Sequence, residues 1–254
     1  MQKYIIFIDV DGTLIKSGTC NMSKVIADEF KRIKKEGHIV VIVTGRSLRD
    51  LNAVTRINSA TYISGLMGGI VIDCETNKIV KEPPVLNSKD VKKFIDEIEK
   101  NNLIWTYKNY YEERTYYDPK LIGNPRCHEI TREEYLVDLK NNEICQLLIE
   151  GELPQKIMDK FKMFDYYRMP GGYYDVIKKG FTKADIIREF MEKYPEYKSV
   201  AIGDSDNDLA MLKEANISIA MGNADDELKK KCDYVTEDYE HYGVVYAFRN
   251  ILKI

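Results

Sequence analysis

Nothing in the chain approaches the roughly 18 consecutive apolar residues of a membrane span, so a membrane is not an expected partner. Basic clusters are also missing. A formal net charge of −3 offers no electrostatic footprint for a phosphate backbone, and nucleic acid is not an expected partner either. The five cysteines (Cys20, Cys74, Cys127, Cys145, Cys232) are far apart and odd in number, without zinc-knuckle or Cys-x-x-Cys spacing. They read as buried or idle thiols of a reducing compartment. The three histidines, His38, His128 and His241, are scattered and form no zinc-ligand pattern. The N-terminal apolar run YIIFI is too short for a signal peptide and runs into aspartates, so a cytoplasmic location is expected. There are no tandem repeats and no low-complexity tracts.

What remains is an ordinary globular composition. Hydrophobic residues make up 44% and charged residues 31%, with both signs interspersed. A chain of 254 residues accommodates one large α/β domain, or a domain carrying a sizeable insert. Residues 4–8 and IVVIVT at 39–44 are continuous apolar runs, each ending in a turn, which suits buried parallel strands. Between them, Ser23 is placed to cap a helix through about Glu36, with Val25, Ile26, Phe30 and Ile33 on one face and Gly37 as its stop. Strand, helix, strand implies a right-handed crossover.

A helix over 47–57, a strand near Tyr62 and a hairpin over 70–81 continue the pattern. After Pro83-Pro84 the texture changes: a helix near 88–100, strands near 103–117 and 144–150, and a helix near 154–163, with the strands alternating as in an open sheet covered on one face. Residues 169–172 read as a turn or hinge leading back. The first texture returns with a helix over 183–194, the strand SVAIGD (199–204), a helix from Asp206, a strand over 217–221, a helix near 225–231, a short DYVT strand and a last helix near 243–252. The chain thus reads as a core domain of 1–82 and 179–254 interrupted by a second α/β domain over 83–178.

Three apolar strands end at groups suited to the same chemistry, with Asp9 and Asp11 after the first, Thr44 after the second, and Asp204 with Asp208 after the third. In a parallel α/β sheet the ligand site lies beyond the carboxyl ends of the strands, where helix N-termini attract anions. Carboxylates gathered there would repel an anion unless a hard divalent cation such as Mg²⁺ joined them. Asp9 and Asp11, two residues apart, can point to one side, one attacking phosphorus while the other handles a proton. Gly12 permits a tight turn whose following N–H groups, at Thr13 and beyond, could cradle phosphoryl oxygens. Thr44 offers a hydroxyl, and Lys183 opens a helix where its charge could neutralise phosphate.

The segments DVDGTL (9–14), VTGR (43–46), Lys183 and GDSDND (203–208) resemble the four motifs of the haloacid dehalogenase superfamily of phosphatases. The tail IAMGNADDELKKKCDYVT (219–236) resembles its Cof-like branch, whose large cap is inserted between the second and third motifs. The resemblance implies a Rossmann-like parallel-sheet core with an inserted α+β cap. It implies Asp9 as nucleophile, forming an aspartyl phosphate and ligating Mg²⁺, and Asp11 as general acid/base with its carbonyl on the metal. It implies Thr44 and Lys183 as phosphate holders and Asp204 as a metal ligand. Asp208 supports the metal directly, through water or by orienting Lys183. Gly12, Thr13, Gly45, Arg46, Asn207 and Asn223 are then expected on the phosphate side. Met67-Gly68-Gly69 departs from the branch's usual Asn-Gly-Ala, so the polar contact from that position is in doubt.

In the branch the cap touches the leaving group. Within the cap, the tyrosines of YKNYYEERTYY (107–117) are expected to pack the sheet, with a sugar or ring pocket as the alternative. Arg114, Arg126 and Arg168 are expected at the surface, with a second anionic group as the alternative. The expected activity is hydrolysis of a small phosphorylated metabolite, sugar phosphates first. The alternatives are a phosphomutase and a non-catalytic phosphate-binding regulatory module. Monomer and homodimer both remain open.

Overall fold

In the computed structural model, which describes residues 2–115, 127–169 and 172–254, fourteen strands are found among the described residues. They are β1 (Tyr4–Ile8), β2 (Ile39–Val43), β3 (Tyr62–Gly65), β4 (Ile70–Asp73), β5 (Lys78–Lys81), β6 (Ile104–Lys108), β7 (Glu113–Thr115), β8 (Cys127–Glu129), β9 (Gln146–Glu150), β10 (Phe164–Met169), β11 (Tyr173–Lys178), β12 (Lys198–Gly203), β13 (Ile217–Ala220) and β14 (Tyr234–Val235). Two sheets contain them all, and the chain divides into two compact units: 1–46, 51–82 and 182–254 in one, 47–50 and 83–181 in the other.

The first unit is built on an eight-stranded sheet ordered β14-β13-β12-β1-β2-β3-β4-β5. Pairing is parallel from β14 to β3, and β4 and β5 append an antiparallel hairpin. Ile5 to Ile8 and Val40 to Val43 are fully buried, as strands covered on both faces require. Register sets Ile8 beside Ile202 and Ile42, so Asp9, Thr44 and Asp204 emerge together at one edge of the sheet. That coincidence positions the site.

Helix Lys24–Lys35 starts where expected: the Ser23 side chain accepts from Val25 N. It buries Ile26, Phe30 and Ile33, each side chain contributing roughly 1.5–3 kcal/mol. Val25, expected on the same face, is exposed, because one residue back around the helix lies about 100° from that stripe. The helix expected over 47–57 is shorter, Leu48–Ala53, since Arg56 adopts a left-handed conformation (φ 63°) and only a tight turn, Ile57–Ser59, follows.

The second unit is a six-stranded sheet ordered β10-β11-β9-β6-β7-β8. Trp105, Tyr107, Leu147, Ile149 and Val176 project from one face of it and pack against Val91, Phe94 and Ile98, Tyr135 and Ile157 from three helices. One of these helices, Arg132–Asn141, is not anticipated by periodicity. β10 and β11 pair with each other inside this sheet, so the turn between them joins two strands of the same unit and does not lead back to the first. Residues 170 and 171 of that turn lie outside the described residues.

Tyr107 is buried with its hydroxyl donating to Asp138, whereas Tyr110 and Tyr111 are exposed; Tyr116 and Tyr117 lie outside the described residues. Arg114 is tied to Glu112 and Asp138, and Arg168 pairs with exposed Glu152. Arg126 lies outside the described residues. Among the described residues no helix is long and apolar enough to cross a membrane.

The C-terminal segment is anchored to helix Lys24–Lys35 by buried Glu29, which accepts from Arg249 Nε and Nη2 (2.9 and 2.8 Å) and from Arg32 (2.8 Å). Arg249 first, and then Arg32, hold the Glu29 carboxyl down at about 2 against an ordinary 4.5. A depressed carboxylate gives stability that is complete above the unfolded value and is lost as pH falls through the folded one. Glu29→Gln is therefore expected to cost about 2 kcal/mol at pH 7, and its deficit relative to the parent should shrink between about pH 4.5 and pH 2. Denaturant melts of both proteins across that range check it; a deficit independent of pH would reject the ion pair as its origin.

Candidate active site

Asp9 is the first residue beyond β1, and its N–H still bonds to Ile202 O, so its backbone is held by the sheet. The chain then folds back in a tight loop in which Leu14 and Ile15 N–H both donate to Val10 O. Gly12 sits at φ +83°, and a Cβ there would lie 2.2 Å from Asp204 Oδ2. Glycine is demanded twice, by conformation and by the approach of the Asp204 carboxylate.

Lys183 enters from helix Lys183–Lys193, which is capped reciprocally by Thr182 and Asp185. Its side chain is fully buried, and Nζ donates to Asp9 Oδ1 and Asp208 Oδ1, both at 2.6 Å. Asp208 Oδ2 accepts from the N–H groups of Asp204 and Ser205, so this carboxylate is satisfied on both oxygens. A Cβ on Gly203 would meet Asp208 at 2.6 Å, which ties that glycine to the same turn. Asp204 Oδ1 accepts from the Thr13 hydroxyl at 3.1 Å. Carboxylate oxygens of Asp9, Asp204 and Asp208 all lie within 4.8 Å of one another.

The charges do not balance. Three acidic groups face one ammonium in a largely buried space. Burial first, then the Asp208 charge, raises the Asp9 carboxyl well above its ordinary value although Lys183 opposes this. Burial and Asp208 likewise push Asp204 up to about 7. Burial works against the Lys183 ammonium, but Asp208 and Asp9 outweigh it and raise its pKa. A hard-oxygen donor set with more acidic groups than cations fits a divalent cation.

Other expected site residues are placed differently. The Asp11 carboxylate takes a two-pronged bond from Arg46, Nε to Oδ2 at 2.8 Å and Nη2 to Oδ1 at 2.7 Å. Thr44 is buried and its hydroxyl accepts from Arg46 N, with Gly45 in the turn between them. Gly12 and Thr13, expected to offer N–H groups to phosphate, spend them on Ile15 O and Val10 O inside the loop. Asn223, expected on the phosphate side, braces the loop by donating to Gly12 O, while its carbonyl accepts from Tyr239 N. Asn207 accepts from Ser205. Met67 takes a left-handed conformation (φ 60°) and is buried, its N–H on Thr44 O; asparagine tolerates that conformation better than methionine. The loop 16–20, which holds Arg46 and Asp11 through Gly18 N and Thr19 O, carries no signal in the sequence.

Acidic strand ends around a buried lysine thus lie at the end of a parallel-rich sheet, with a second, mainly antiparallel sheet in a separate unit. The chain belongs to the haloacid dehalogenase-like hydrolases, whose family model matches residues 6–248. It is 28% identical over 264 residues to the 5-amino-6-(5-phospho-D-ribitylamino)uracil phosphatase YcsE of Bacillus subtilis, covering 97% of this chain and 94% of that one. It is 29% identical over 258 residues to a phosphoglycolate phosphatase of Methanobrevibacter smithii, covering 97% of each. Among solved structures, the phosphatase BT1666 from Bacteroides thetaiotaomicron superposes with a TM-score of 0.85 at 24% identity, over 100% of this chain and 96% of that one.

Gly12→Ala is expected to push Asp204 out of the cluster. A displacement of about 1 Å at a reacting centre costs on the order of 100-fold in rate, and the left-handed conformation adds about 1 kcal/mol of destabilisation. Release of 4-nitrophenol from its phosphate and a denaturant melt measure the two effects. Near-parental activity would show that the carboxylate position is not critical.

Proposed function

We propose that this phosphatase hydrolyses a small phosphorylated metabolite, with sugar phosphates favoured, through an aspartyl phosphate on Asp9 and with Mg²⁺ as cofactor. The observation that carries this reading is the convergence of Asp9, Asp204 and Asp208 within 4.8 Å around a fully buried lysine. Asp9 Oδ1 is held by Lys183, and Oδ2 has no hydrogen-bond partner among the described residues, as a nucleophile requires.

In the first step Asp9 Oδ2 bonds to phosphorus as the bond to the leaving oxygen breaks, and Asp11 gives that oxygen a proton. In the second, Asp11 takes a proton from water as the water oxygen bonds to phosphorus and the bond to Asp9 breaks. Asp9 is restored and inorganic phosphate leaves. Lys183 and Thr44 hold the phosphoryl group. Asp9, Asp204 and the Asp11 carbonyl would hold Mg²⁺, with Asp208 acting by orienting Lys183. When bound, the cation supplies charge neutralisation and polarises a phosphoryl oxygen.

The two curated relatives act on a phosphorylated ribitylaminouracil and on phosphoglycolate, both phosphate monoesters of small organic molecules. A solved neighbour with a TM-score of 0.82 is described as a sugar phosphatase. These names support the substrate class. Free thiols at Cys20, Cys74, Cys145 and Cys232 support a reducing, cytoplasmic setting.

A panel of phosphorylated metabolites assayed with Mg²⁺ is expected to release inorganic phosphate, most rapidly from sugar phosphates. A phosphate isomer with little free phosphate would mark a mutase, and no turnover at all would mark a binding module. Asp9→Asn is expected to lower turnover at least about 1,000-fold with an unchanged circular dichroism spectrum, since the amide is nearly isosteric but does not attack. Residual activity near the parent would place the nucleophile elsewhere. EDTA should stop phosphate release and excess Mg²⁺ restore it; indifference to EDTA would remove the metal from the reading.

A further inference from the structure

Arginine beside a phosphate site is usually read as a ligand of the anion. Here all three guanidinium nitrogens of Arg46 are already engaged. Nε and Nη2 grip Asp11 Oδ2 and Oδ1 at 2.8 and 2.7 Å, Nη2 also donates to Thr19 O at 2.8 Å, and Nη1 reaches Cys20 Sγ at 3.7 Å. The residue is only 8% exposed. Its backbone is equally constrained: Arg46 N donates to the Thr44 hydroxyl at 3.2 Å, and Arg46 O accepts from Leu66 N at 3.0 Å. Gly65 permits that approach, since a Cβ there would lie 2.8 Å from Arg46 O. Asp11 is held from a second side by Gly18 N at 3.0 Å.

We propose that Arg46 works on the reaction through Asp11: it is a positioning residue that fixes the plane and direction of this carboxylate, and it does not bind the phosphate. The inference rests on Asp11 being the general acid/base of the proposed reaction. Two parallel bonds from a rigid fork set both oxygens of a carboxylate at once, which a lysine cannot do. Because loop 16–20 and the Thr44-to-Leu66 region both clamp the arginine, the direction of Asp11 is fixed by elements other than its own strand.

The two roles separate by leaving group and by anion affinity. Departure of 2,4-dinitrophenolate needs no proton, whereas departure of phenolate does. Arg46→Gln, Arg46→Lys and Asp11→Asn are assayed on 2,4-dinitrophenyl phosphate, 4-nitrophenyl phosphate and phenyl phosphate, with inhibition by inorganic phosphate measured in parallel. General acid–base catalysis contributes roughly 100- to 10,000-fold. Arg46→Gln is accordingly expected to lose at least about 30-fold more kcat/KM on phenyl phosphate than on the dinitrophenyl ester. Its Ki for inorganic phosphate should stay within about threefold of the parent's, since an anion ligand removed would cost tenfold or more.

Arg46→Lys, which keeps the charge and one donor, should fall between, and it serves if the glutamine variant does not fold. Equal losses on all three esters, with a Ki raised tenfold, would make Arg46 a phosphate ligand and overturn the proposal. So would parental kinetics throughout. If Asp11→Asn itself shows equal losses on all three esters, the general acid/base assignment has failed and this inference falls with it; if Asp11→Asn is selective and Arg46→Gln is not, only the inference falls.

Discussion

Three acidic groups crowded around one buried ammonium are the condition on which the site depends. Asp9 and Asp204 come together because β1 and β12 are adjacent and in register, and the turn after β12 brings Asp208 back to them. Lys183 offsets one charge and is itself buried because two carboxylates accept hydrogen bonds from its ammonium. Burying either charge alone would be prohibitive. Burial and the neighbouring carboxylates raise the carboxyl pKa values of Asp9 and Asp204, and a bound cation would relieve that repulsion.

The supports of this cluster are mostly backbone. Gly12 and Gly203 are places where any side chain would strike Asp204 or Asp208, so the carboxylates are aimed by chain shape. Asn223, 211 residues beyond Gly12 in sequence, then ties Gly12 O to Tyr239 N and so links the loop after β1 to the C-terminal part of the chain. Asn223, which the motif pattern suggests as a substrate contact, thus also braces this loop. The pattern records which residues the site needs, but not at which remove from the reacting atoms each one acts.

That distinction also explains what could and could not be read in advance. β1, β2 and β12 are legible because burial on both faces leaves continuous apolar runs, and the acids at their ends follow from where such strands stop. Helix Arg132–Asn141 is not legible by periodicity: Leu136 and Val137 are exposed, so its apolar residues do not form a stripe. Its one signal is the capping box, Thr131 with Glu134 three residues on. The direction of Asp11 is illegible for another reason. It is set by Arg46, 35 residues away, and by a loop of no distinctive composition. Local sequence carries no record of a side-chain contact between two strand ends.

The two cations of the site divide the work according to their chemistry. Lys183, a compact point charge with three donors, bridges Asp9 and Asp208 and so joins β1 to the turn after β12. It leaves the second oxygen of Asp9 without a hydrogen-bond partner among the described residues. Arg46, a planar fork, closes on both oxygens of a single carboxylate and orients it. A fork on Asp9 would engage both of its oxygens, and a point charge on Asp11 would leave its plane free to turn. In the proposed reaction the choice of cation at each aspartate therefore matters, because it leaves one oxygen of Asp9 open and holds the plane of Asp11 still.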